Sequence, residues 1–194
     1  DGEIVGFLGA NGAGKSTTLK ILSGYLSPTV GQISINNLDI IKDSNEIKKM
    51  IGYLPESNPL YNDMMVYDLL EFIANVRDIK GQEFQDSLDT VVRQCGLNGV
   101  LHKIVGACSK GYKQRIGLAC AMIHNPQILI LDEPVTGLDP NQIVSSANKA
   151  YSSFIMAFLR RLHFFLDRLM RSDFLHGFMT WKCSPLLTLV KSIL

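Results

Sequence analysis

Apolar and polar positions change period several times along the 194 residues. Ile4 to Leu8 is a short apolar run that enters a glycine-rich stretch at once, the pattern of a buried strand that delivers a loop. Past that loop the pattern predicts a helix from Lys15 to about Ser23, with Gly24 as its stop. In "MMVYDLLEFIANVRDI" apolar residues recur at Val66, Leu69, Leu70, Ile73 and Val76, which is helical spacing. In "QDSLDTVVRQCGL" Leu88, Val91, Val92 and Cys95 share one face, and Gly96 is placed as a C-terminal cap. Ile128 to Leu131 is a continuous apolar run, as in a parallel strand buried on both faces. Strands interleaved with amphipathic helices predict an α/β fold.

The tail follows another pattern. On a helical wheel Arg160, Arg161, His163, Asp167, Arg168 and Arg171 fall on about half the circumference. Phe158, Leu159, Leu162, Phe165, Leu166 and Leu169 oppose them. Such a helix suits an anionic membrane surface, a partner's groove or a docked core position. Charge changes at the same place. Residues 1–143 carry 12 Lys/Arg against 16 Asp/Glu, and residues 144–194 carry 7 against 2.

Other bulk properties narrow the class. Hydrophobic residues make up 46% of the chain, an ordinary globular value. A net charge of +1 gives no electrostatic reason to expect nucleic acid as a partner. The four cysteines, Cys95, Cys108, Cys120 and Cys183, show no CxxC pair and no ligand-like spacing, which argues against a metal site built on them and for a reducing compartment. No apolar run approaches the roughly 20 residues of a membrane span. "DGEIVGFLGA" enters its first strand without a lead-in, so a fragment lacking its N-terminal segment is expected.

The strongest chemical signal is Gly9-Ala-Asn11-Gly12-Ala-Gly14-Lys15-Ser16 between a strand and a helix. It is the GxxxxGK[ST] phosphate cradle, or Walker A motif, in the context that motif requires. Glycines let backbone N–H groups converge on phosphate oxygens, and the helix N-terminus adds partial positive charge. Lys15 is assigned to the β- and γ-phosphates, Ser16 to Mg²⁺ and Thr17 to phosphate support. A Rossmann site fails because the stretch lacks GxGxxG spacing. The apolar run at 128–131 ends in Asp132-Glu133, a Walker B arrangement. The Asp is suited to Mg²⁺ and the Glu to polarising an attacking water.

The stretch "ACSKGYKQRIGLACAMIHNPQILILDEPVTGLDP" resembles the signature region of ABC-type ATPases. The family's usual LSGGQ stands here as Cys108-Ser109-Lys110-Gly111-Tyr112, followed by Gln114-Arg115. The resemblance covers about residues 1–143. It implies a P-loop NTPase core with a helical subdomain at about 57–125 that faces a membrane permease. It implies that Ser109 and Gly111 bind ATP in trans across a head-to-tail dimer. Gly137-Leu138-Asp139-Pro140 looks like the family's dimer-facing D-loop. "IGYLPESNPLY" looks like its Q-loop region, with Glu56 where most members have Gln, so Glu56 is a weak Mg²⁺ donor. "YLPE", "SKGY" and "TGLDPNQI" look like the ABC-2-type exporter branch, including ATP-binding subunits linked to bacterial gliding motility. The implied role is ATP binding and Mg-dependent ATP hydrolysis that powers transport, on the cytoplasmic face of the plasma membrane.

Two of the family's parts are not found. An adenine-stacking aromatic would precede the first strand. A switch histidine would follow the D-loop, and His163 lies near the right distance but in the context "RRLHFF". Residues 144–194 therefore have three readings, in order of preference: a disrupted reading frame, a divergent tail, and a membrane-surface device. The functional alternatives are an inactive nucleotide-binding fragment and a soluble, non-transport ABC ATPase. An ATPase assay separates the first from the transporter reading, and capture of a permease separates the second.

Overall fold

The computed structural model describes residues 5–10, 12–132 and 179–180. The chain opens with β1 (Phe7–Leu8), which runs through the glycine-rich loop into α1 (Lys15–Leu22). Ser23 ends that helix, and Gly24 follows at φ 70°, the left-handed conformation expected of a helix stop. The next segment, unassigned from the sequence, is a hairpin of β2 (Ser34–Ile35) and β3 (Leu38–Asp39) followed by α2 (Ser44–Met50). Asn36 and Asn37 both take positive φ, 50° and 64°, as a two-residue hairpin turn demands. The Asp39 carboxylate accepts hydrogen bonds from the Lys42 and Ile41 amides, and these, Lys42 first, hold it below the usual carboxylate range.

β4 (Ile51–Leu54) pairs in parallel with β5 (Ile128–Leu131), Ile51 opposite Ile128 and Leu54 opposite Leu131. The period of two splits these strands cleanly. Ile51, Tyr53, Ile128 and Ile130 pack with Ile35, Ile40 and Ile47 of the hairpin–α2 side. Leu54, Leu129 and Leu131 pack into the larger core on the opposite side. That core belongs to α3 (Val66–Val76), α4 (Gly81–Cys95) and α5 (Lys110–Met122), with a 3₁₀ turn at Val105–Ala107. α5 buries Gly111, Gln114, Ile116, Gly117, Leu118, Ala119 and Ala121 around most of its circumference, because it lies between the sheet and the other two helices. β1 pairs antiparallel with β6 (Met179–Thr180). No helix among the described residues is long and apolar enough to cross a membrane.

Two expectations change. Helical spacing puts Val76 on the apolar face of α3, yet it is 64% exposed and Ala74 takes the buried place. Val76 is the last helical residue, and the chain turns away there through Asp78 at φ 61°. The strand at 128–131 is parallel as expected but half-buried along its length. The α4 face is as predicted, extended by Phe84, and Gly96 caps it at φ 65°.

Helix α5 sits against β4 at very close range. A Cβ at Gly52 would stand 2.1 Å from the Ala121 carbonyl oxygen and 2.9 Å from Pro126. At the end of α5, His124 Nε2 lies 3.1 Å from the Ile51 carbonyl. A carbonyl only accepts, so Nε2 carries the proton and the buried Nδ1 is left without a partner. Burial first, then the nearby Arg77 charge, hold this imidazole below the ordinary histidine value. Cys95 and Cys120 are each pushed up to about 12 by burial, which suits packing and not nucleophilic chemistry.

Replacing Gly52 by Ala is expected to destabilise the chain by about 2–3 kcal/mol in urea denaturation, because backbone and not a flexible side chain must yield. An unchanged midpoint would contradict that packing. The histidine gives a pH dependence of defined sign. Unfolded, the ring titrates at about 6.5; folded, it resists protonation. The unfolded chain therefore binds more protons below that pH, and stability present above it falls as the pH drops. Denaturation at pH 7.5 and 5.5 should show this loss, and His124→Gln should reduce it.

Candidate functional site

Two stretches that lie far apart in sequence meet at one point. Gly12 and Gly14 take φ 82° and 85°, where a side chain costs roughly 1–2 kcal/mol. A Cβ at either position would meet nothing within 4 Å, so conformation rather than room calls for glycine in this loop. The Ala13 amide donates to the Ala10 carbonyl at 3.2 Å and closes the turn. Gly14 caps α1 without a side chain, and no acidic residue stands in the first turn. The amides of that turn are thereby left for an external anion, where the helix dipole also favours one.

Lys15 Nζ curls over the loop and donates to the Gly9 and Ala10 carbonyls, both at 2.9 Å. Its ammonium group thus sits at the mouth of the cradle. Ser16 is half-buried and Thr17 exposed. Thr18 Oγ1 donates to the Gly14 carbonyl at 3.0 Å and braces the first turn from behind.

Asp132 closes the site from the other side. It is only 5% exposed and follows the last residue of β5. Its amide donates to the Leu54 carbonyl at 2.9 Å, continuing the β4–β5 ladder by one bond. Its Oδ1 accepts the Ser16 hydroxyl at 3.3 Å, across 116 residues of sequence. Among the described residues no Lys, Arg or His lies within ion-pair distance of this carboxylate. A buried carboxylate with a hydroxyl as its side-chain partner is a costly arrangement that a hard cation would relieve. The donor set, carboxylate and hydroxyl oxygens at a strand end, fits Mg²⁺ chemically. The Tyr53 phenol is raised by burial first and then by the charge of Asp132, so this carboxylate's field reaches β4.

Glu56 is exposed and stands two residues beyond Leu54, the backbone partner of Asp132. Among the described residues it makes no hydrogen bond to Ser16 or Asp132. Asn11, Glu133, the Gly137–Pro140 loop and His163 lie outside the described residues, as does the 144–194 tail except for the Met179–Thr180 pair.

Ser109 is the N-cap of α5, with its Oγ accepting the Tyr112 amide at 3.3 Å. Gly111 is buried in the first turn of that helix, and Lys110 projects outward. The structure does not bring Ser109 or Gly111 into contact with Lys15 or Ser16. Gln114 and Arg115, which the sequence marked only as motif members, turn out to be anchors. Gln114 is buried with its Oε1 facing Asn58 Nδ2 at 3.5 Å. Arg115 lies 4.0 Å over the Tyr112 ring and donates to the Gly96 carbonyl at 3.3 Å. Sequence reasoning missed Asn58 and Asn62, which fasten the loop after β4. Their one local signal is that asparagine tolerates positive φ, as Asn58 does at 41°.

A strand–loop–helix phosphate cradle facing a buried aspartate at the end of a parallel strand defines an α/β P-loop nucleotide-binding domain. Comparison with known proteins takes this further. The model of a family described as ABC transporter matches residues 1–136. The bacitracin transport ATP-binding protein BcrA of Bacillus licheniformis is 42% identical over 139 residues, covering 72% of this chain and 44% of that protein. The uncharacterised ABC transporter ATP-binding protein YxlF of Bacillus subtilis is 40% identical over 140 residues, with 72% and 46% covered. The chain spans less than half the length of both relatives. The structure of an ATP-binding subunit of an ABC transporter superposes with a TM-score of 0.64 at 31% identity, over 74% of this chain and 62% of that one. The dimeric ABC transporter cassette MJ0796 shares the fold, with a TM-score of 0.63 at 24% identity over 79% of this chain and 66% of that one. The chain belongs to the ABC transporter family and carries its ATP-binding domain.

Proposed function

We propose that this chain is the ATP-hydrolysing part of an ABC transporter of the ABC-2-type exporter branch, and that it works as a head-to-tail pair beneath a membrane permease. The observation that carries the reading is the Ser16–Asp132 hydrogen bond, which joins the phosphate cradle to the buried carboxylate in one site. In this reading Gly9, Asn11, Gly12 and Gly14 shape the cradle. Thr17 supports the phosphates, and Lys15 releases the loop carbonyls to meet the β- and γ-phosphates. Ser16 and Asp132, with Glu56 as a weaker donor, would hold Mg²⁺, which would supply charge to offset that of the triphosphate. Glu133 orients and polarises the attacking water.

Ser109 and Gly111 complete the partner's site in this reading, as the family resemblance implies, and the exposure of Ser109 at the α5 N-terminus supports it for the serine. The dimeric state of MJ0796 supports a paired arrangement for this fold. The name of BcrA supports a transport role. Residues 1–143 form the ATP-binding domain in this reading, with its helical subdomain at about 57–125. The location follows from the permease: the cytoplasmic face of the plasma membrane, with no nucleic acid partner.

The test is turnover. Magnesium-dependent ATP hydrolysis by the chain is expected, with Glu133→Gln keeping ATP binding and lowering the rate by about tenfold or more. Unchanged hydrolysis in that variant would remove Glu133 from the mechanism. ATP binding with no hydrolysis in the unaltered chain would favour the inactive-fragment alternative.

A further inference from the structure

The loop that leaves β4 is fastened to the base of α5 at two points. Asn58 donates its amide to the Pro55 carbonyl at 3.1 Å, closing the turn that displays Glu56. Its Nδ2 donates to the Lys113 carbonyl at 2.7 Å. Its side chain lies flat on Gly117, where a Cβ would stand 2.0 Å from Asn58 Oδ1. Four residues on, the Asn62 carbonyl accepts the Gly106 amide at 2.8 Å, and Asn62 Oδ1 accepts Lys113 Nζ at 3.2 Å. A Cβ at Gly106 would stand 2.9 Å from the Asn62 carbonyl oxygen.

Gly106 lies three residues before Ser109 and Lys113 four residues after it. The two asparagines therefore hold the chain at points that flank the Ser109–Gly111 cap in sequence. Glu56 and Ser109 themselves remain exposed. Asn58 makes these bonds from a left-handed backbone, φ 41°, which asparagine adopts more readily than most residues.

We infer that Asn58 and Asn62 are positioning residues that make the Glu56 turn and the Ser109–Gly111 cap one mechanical unit, so that displacement of the turn carries the cap with it. The inference rests on the reading that the cap meets the partner's ATP. Its consequence is specific. Loosening the grip should leave the cradle's own ATP binding intact and weaken the ATP-dependent pairing of two copies.

The experiment uses the 194-residue chain and three readouts: thermal midpoint, affinity for a fluorescent ATP analogue in dilute protein, and ATP-dependent self-association by sedimentation. Asn58→Asp keeps size and tolerance of positive φ but cannot donate to the Lys113 carbonyl. It is expected to bind the analogue as the unaltered chain does and to self-associate about tenfold more weakly. Gly117→Ala should lower both midpoint and self-association by pushing Asn58 out. Asn58→Gly combined with Gly117→Ala refills that space without the amide, and should restore the midpoint but not the self-association. Unaltered self-association in Asn58→Asp, or recovery of both properties in the double variant, would reduce the grip to packing and overturn the inference. An unaltered chain that fails to bind the analogue would instead overturn the underlying ATP-site reading. One that binds without pairing would overturn the role of the cap, and the inference with it.

Discussion

The site depends on one hydrogen bond, from Ser16 Oγ to Asp132 Oδ1, that spans 116 residues of sequence. Among the described strands β5 is paired with β4 and β1 with β6, so the cradle and the carboxylate come from different two-stranded pairs. The Ser16 hydroxyl joins them from the first turn of α1, and the Leu54 carbonyl fixes Asp132 from behind. A buried carboxylate held by a hydroxyl, with no cation at ion-pair distance among the described residues, is expensive for the fold alone. Its cost becomes intelligible once the two oxygens are read as donors for a metal that arrives with a nucleotide.

The same economy runs through α5. That helix begins at the Ser109 cap, passes the Asn58 amide at Gly117, and ends where His124 meets the Ile51 carbonyl. Glycines at 52 and 117 admit neighbouring backbone and side-chain atoms at distances no Cβ would permit. Closeness replaces apolar bulk at these contacts, so a small displacement at one end has little slack in which to dissipate.

Much of this was legible in the residues. The cradle could be read because its chemistry demands glycine at left-handed positions, and Gly12 and Gly14 occupy them. The α4 face could be read because Leu88, Val91, Val92 and Cys95 lie on one side of a long helix with a polar opposite face. Val76 misled because helical periodicity does not say where a helix ends, and Asp78 turns the chain at that point. The β2–β3 hairpin escaped because each strand is only two residues long, though Asn36-Asn37 was a usable turn signal. Gln114, Arg115 and Asn58 could not be assigned their parts, since their partners at Asn58, Gly96 and Lys113 are set by tertiary packing.

The most direct test of the joined site is a double-mutant cycle between Ser16→Ala and Asp132→Ala, read as affinity for an ATP analogue with Mg²⁺ and with EDTA. If the two oxygens act on one ion, each single variant loses most of the Mg²⁺-dependent gain. The double variant then loses little more, a coupling of about 1 kcal/mol or above. Affinity in EDTA stays the same throughout. Additive losses, or equal losses in EDTA, would contradict the account.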